Sequence, residues 1–184
     1  MTKQGIARRN LVGNTGEESS RRKFMRVAAL GGTAFLAVGV PFADAVAGKT
    51  EALLLSCMDF RLMNEVEQYM SGRGLRDNYD HIVLAGASLG ALTDKYPAWR
   101  KTFWEHLDIA IKLHAINTVI VMDHRDCGAY KVLLGEDFAQ QPTKETQVHT
   151  DHLRKLQAAI QKKYPQMKVE LTLMALDGKV ESIS

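Results

Sequence analysis

Short uninterrupted apolar runs alternate in this chain with longer stretches whose apolar residues recur every three or four positions. Glu51–Ser56, His81–Ala85, Thr118–Met122 and Val169–Ala175 are the runs. Such runs predict short strands buried on both faces. After the first, Leu62, Met63, Val66, Tyr69 and Met70 fall at helical spacing, and Gly72 and Gly74 punctuate the end. Pro97 starts a second helix in which Phe103, Leu107, Ala110, Ile111 and His114 share a face. Ala129–Leu134 predicts a short helix. Lys144–Tyr164 predicts a long polar one with Val148, Leu153, Leu156, Ala159 and Ile160 inward, closed by Pro165.

Strand and helix therefore alternate. That order predicts an α/β fold: a small doubly wound parallel sheet of about four strands, order 2-1-3-4, with helices on both faces. In such sheets ligands sit beyond the carboxyl ends of the strands, where the strand order reverses. The residues just after each strand are the place to look for chemistry.

Composition narrows the class. With 46% hydrophobic residues the 184-residue chain is too apolar to be disordered, and two cysteines exclude a multi-disulfide scaffold. The net charge of +3 first suggests an acidic partner. Its location changes that reading. Residues 1–47 carry seven basic residues against three acidic ones, a net +4, which leaves −1 for residues 48–184. No nucleic-acid stripe is present. The first segment instead has the order of an export signal: Ser20, Arg21, Arg22, Lys23, Phe24, Met25 and Arg26, then the uncharged run Val27–Val40, then small residues from Ala43 to Ala47. The paired arginines resemble the twin-arginine signal. The expectation is a periplasmic protein delivered by the twin-arginine machinery, cleaved after Ala45 or Ala47, with residues 48–184 as the working domain.

Both cysteines follow strands. Cys57 opens Cys57-Met58-Asp59-Phe60-Arg61, and Cys127 closes His124-Arg125-Asp126-Cys127 before Gly128 and Ala129. In the 2-1-3-4 order the two segments meet at the switch point. Two thiolates and an imidazole form a three-ligand zinc set with a fourth position open, as in catalytic rather than structural sites.

C-x-D-x-R after one strand and H-x-x-C-G-A after another closely resemble the β-class carbonic anhydrases. The resemblance spans roughly residues 52–184. It implies Zn²⁺ on Cys57, His124 and Cys127, and an Asp59–Arg61 dyad in which the arginine draws the aspartate off the metal. Asp59 then accepts a hydrogen bond from the zinc-bound hydroxide, or becomes a fourth ligand in a closed state. The implied activity is reversible hydration of CO2 to bicarbonate, in a homodimer or higher homo-oligomer. There are departures. The family's R-N-A-G segment corresponds here to Leu84–Gly90, where only Ala85-Gly86 match, and the family's N-terminal helical arm is absent after cleavage. Two alternatives therefore stand beside CO2 hydration: hydrolysis of a CO2 analogue such as carbonyl sulfide or carbon disulfide, and a non-catalytic zinc-binding protein.

Rival readings concern the same residues. In an oxidising compartment Cys57 and Cys127 are disulfide candidates, though a disulfide leaves His124, Asp59 and Arg61 unexplained. Gly86-Ala87-Ser88-Leu89-Gly90 matches a G-x-S-x-G nucleophile elbow, with Asp123 and His149 or His152 as nominal partners. His149 and His152 otherwise read as a solvated helix face. Asp126 reads as an outer partner of a ligand or as a surface residue. Trp99, Phe103 and Trp104 read as core or as a dimer patch.

Overall fold

The computed structural model describes residues 48–138 and 140–184. The export signal read from residues 1–47 lies outside the described residues. Among the described residues five strands form one sheet: β1 (Ala52–Ser56), β2 (Tyr79–Val83), β3 (Thr118–His124), β4 (Lys168–Met174) and β5 (Val180–Ser182). Their order is β2-β1-β3-β4-β5. The first four are parallel and follow the expected 2-1-3-4 order. The fifth is an antiparallel edge strand with Met174 opposite Val180. Its three residues are too few to give an apolar period, so the sequence pattern does not announce it. β2 begins two residues earlier than expected.

The helices are α1 (Met63–Gly72), α2 (Ser88–Leu92), α3 (Pro97–His114), α4 (Gly128–Leu134) and α5 (Pro142–Lys163), with a 3₁₀ turn at Phe60–Leu62 before α1. Alternation along the central strands sends side chains to both faces. Leu53, Leu55, Val119 and Val121 pack with Phe103, Leu107, Leu153, Leu156 and Ile160, under α3 and α5. Ala52, Leu54, Ile120 and Met122 pack with Leu62, Val66 and Met70, under α1. Both faces are covered, which is why β1 and β3 read as unbroken apolar runs. The crossing between strand orders falls between β1 and β3.

α2 carries the glycine-rich segment that resembled a nucleophile elbow. The carbonyl of Ala85 lies 2.4 Å from where a Cβ on Gly90 would sit, so close approach of two backbones requires that glycine. In an elbow the nucleophile itself occupies the strained turn. Here the strained residue is Ala87, at φ 38°, and Ser88 begins α2 fully buried. The hydroxyl is turned into the protein.

Candidate metal centre

β1 and β3 are neighbours with Ser56 opposite Met122, so the residues that follow them leave the sheet side by side. Cys57 is the first residue past β1, His124 the last of β3, and Cys127 directly precedes α4. The two sulfurs and a ring nitrogen of His124 all lie within 4.8 Å of one another. The cysteines are free thiols with sulfurs 3.9 Å apart, so the disulfide alternative is not realised.

The donors fit a zinc ion. His124 Nδ1 lies 2.9 Å from the carbonyl oxygen of Arg125. A carbonyl only accepts, so Nδ1 carries a proton, and in the neutral ring Nε2 is then the free acceptor. That Nε2 is buried without a hydrogen-bond partner, an arrangement that is costly in a protein interior unless something binds there. Two sulfurs at tetrahedral positions, each about 2.3 Å from zinc, stand about 3.8 Å apart, close to the separation observed.

The electrostatics favour an anion on one of the two sulfurs. Cys57 is lowered well below the usual thiol range: the Cys127 thiol hydrogen-bonds to it, and His124 and the Gly86 amide add to the pull, together outweighing burial. That amide donates to Cys57 Sγ at 3.3 Å. Cys127 is pushed up, first by the Cys57 sulfur and then by burial. Burial opposes charge on His124, but the Cys57 sulfur outweighs it and the net shift is upward.

Asp59 caps the 3₁₀ turn, its Oδ1 accepting the Arg61 amide at 3.0 Å. The Arg61 guanidinium closes a bidentate pair on it, Nε to Oδ1 at 3.0 Å and Nη2 to Oδ2 at 2.8 Å. The same guanidinium donates to Asp126 Oδ2 at 2.8 Å and to the Asp126 carbonyl at 3.0 Å. Asp126 is thus a partner of Arg61 rather than a free surface residue. These contacts, led by the Arg61 side chain, hold Asp59 down at about 2. Its Oδ2 lies 3.8 Å from His124 Nε2, so the carboxylate stands at the edge of the donor cluster with both oxygens on arginine.

An open cleft of about 730 Å³ begins at Cys57, Asp59, Arg61 and Asp126, and its other walls include Met58, Phe60, Tyr96, Trp99, Val132 and Leu133. Tyr96 and Trp99 stack at 4.3 Å. Trp99 therefore faces the cleft, while Phe103 is core. His149 corrects the expectation of a solvated histidine: it is 1% exposed, and its Nδ1 contacts the buried Asp123 at 2.9 Å. The helical pattern did contain that signal, because His149 stands four residues before Leu153 and seven before Leu156, on the buried stripe. His152, on the same helix, is half-buried and bonds the Val148 carbonyl.

A doubly wound sheet with a Cys-His-Cys donor set at its switch point defines an α/β protein with a candidate metal site. Residues 47–184 match the family described as "Putative carbonic anhydrase", and the chain belongs to that family. An uncharacterized protein of Rickettsia conorii is 44% identical over 135 residues, 73% of this chain and 73% of its own. An uncharacterized protein of Rickettsia bellii is also 44% identical over 135 residues, covering 73% of this chain and 82% of its own. Among solved structures, the β-carbonic anhydrase CafD of Aspergillus fumigatus is similar with a TM-score of 0.50 at 13% identity, over 73% of this chain and 89% of that one. That likeness is one of fold.

Proposed function

We propose that this protein is an exported zinc-dependent lyase that interconverts CO2 and bicarbonate. The observation that carries the reading is the buried, partnerless His124 Nε2 facing two free thiols 3.9 Å apart. Cys57, His124 and Cys127 hold the metal. Bound zinc supplies a water acidic enough to give hydroxide near neutral pH. Asp59 Oδ2, 3.8 Å from His124 Nε2, would be the acceptor for a proton of the water that zinc supplies. Arg61 keeps that carboxylate ionised and turned aside from the donor cluster. The apolar walls of the cleft suit a small linear substrate without charge and limit competing water. A second copy of the chain covers the exposed side chains beside the cleft.

Metal analysis with stopped-flow CO2 hydration at pH 8–9 tests the reading. One zinc per chain with fast hydration is the expected result. Full zinc occupancy without hydration overturns it: turnover of carbonyl sulfide or carbon disulfide then marks an analogue hydrolase, and no turnover marks a zinc-binding protein.

A further inference from the structure

Asp123 precedes His124, is 1% exposed, and has no part in the reaction proposed above. Its Oδ1 accepts the Ser88 amide at 3.0 Å. Its Oδ2 accepts the Ser88 hydroxyl at 2.7 Å and the Tyr130 hydroxyl at 2.6 Å, and meets His149 Nδ1 at 2.9 Å. The two hydroxyls are themselves 3.0 Å apart. Serine, acid and histidine are therefore together, but in the wrong order for a hydrolase. A triad sets the imidazole between acid and serine so that it can take the hydroxyl proton. Here the carboxylate sits between the other two, and all four side chains are buried.

What the carboxylate does hold is the frame of the donor cluster. Consecutive strand residues point to opposite faces, so anchoring Asp123 beneath the sheet fixes the backbone that aims His124. Ser88 stands two residues after Gly86, whose amide donates to Cys57 Sγ. Tyr130 stands three residues after Cys127, in the first turn of α4. One buried carboxylate thus ties the end of β3, the start of α2 and the start of α4, each within three residues of a donor or of a group bonded to one, and also reaches His149 of α5.

We propose that Asp123 is a positioning residue for the metal centre, setting the spacing of Cys57, His124 and Cys127 through Ser88, Tyr130 and its own strand. This rests on the metal-binding reading above. Outer partners of this sort change metal affinity by about 10- to 100-fold when removed.

The test is a cobalt(II) titration of the metal-free protein, following thiolate charge-transfer and d–d bands. Ser88→Ala, Tyr130→Phe and Asp123→Asn are expected to bind about tenfold more weakly with displaced d–d bands. Leu153→Val, a core change in α5 outside the network, loses stability but keeps the unaltered affinity and bands. Should Asp123→Asn fail to fold, the two milder variants decide. Unaltered affinity and bands in folded Ser88→Ala and Tyr130→Phe overturn the role, as does an equal shift in Leu153→Val. Absence of any thiolate–cobalt band in the unaltered protein overturns the metal centre itself, and this role with it.

Discussion

At the scale of single residues, Asp59 and Arg61 are where the proposed chemistry can be separated from the proposed metal binding. Neither belongs to the mutually close set of Cys57, His124 and Cys127. Asp59→Ala is therefore expected to keep its zinc while losing CO2 hydration by about 100-fold or more, the span of a well-placed proton acceptor. Zinc content measured beside turnover checks this, and loss of the metal would place Asp59 among the ligands instead. The carboxylate's titration gives a second expectation. Asp59 is lowered to about 2 chiefly by the Arg61 side chain, against about 3.9 for an unperturbed aspartate. A depressed value means the pairing contributes stability above pH of about 4, and that contribution is lost as pH falls through about 2. Carbon-13 NMR of the Asp59 carboxyl is expected to show a midpoint near 2 in the unaltered protein and one near 4 in Arg61→Gln. An identical midpoint in both would remove Arg61 as the cause.

At the scale of elements, the segment between β2 and α3 differs most from what its sequence suggests. Its glycines resemble a catalytic turn, yet Gly90 is there because the Ala85 carbonyl would lie 2.4 Å from a side-chain carbon. A carbonyl inside a tight turn cannot move aside as a flexible side chain can. Gly90→Ala is expected to destabilise the protein by about 1–3 kcal/mol by urea unfolding, the usual cost of overpacking a well-packed site. Unchanged stability would show that the turn relaxes freely. The same segment shows what a sequence can and cannot convey. β1 and β3 were legible because strands covered on both faces are apolar without interruption. Cys57, His124 and Cys127 were legible because a donor set needs fixed residue types just past those strands. The Asp123 network was legible only in part: the sequence grouped Ser88, Asp123 and His149 as a nominal hydrolase set, but Tyr130 and the place of the carboxylate between the other groups come only from the packed fold. β5 was hidden for a different reason, since a three-residue edge strand has no period to detect.

At the scale of the whole molecule, two features concern what surrounds the domain. Phe60 at 85%, Val132 at 73% and Met58 at 63% exposure stand together beside the cleft. Large apolar side chains clustered on a surface mark a ligand groove or an interface with a partner, and a second copy of the chain is the proposed cover. Phe60→Asp combined with Val132→Asp is expected to give a monomer by light scattering while the isolated domain fold persists by circular dichroism. A monomeric unaltered protein would end the oligomer proposal. The second feature joins the proposed export signal to the proposed metal. Cys57 and Cys127 are close and free, and an oxidising compartment would threaten such a pair unless the metal were already in place. Under the proposed twin-arginine export, a route that carries folded chains would allow zinc to be loaded before crossing, and the paired Arg21 and Arg22 and the Cys-His-Cys set would answer one problem. Replacing both arginines by lysine is therefore expected to leave the protein in the cytoplasm at full length with its zinc bound. The unaltered protein is expected in the periplasm, beginning after Ala45 or Ala47, with two metal-protected thiols. Mass spectrometry of the two fractions reads both outcomes. Periplasmic protein from the lysine variant would show that export does not depend on the arginine pair.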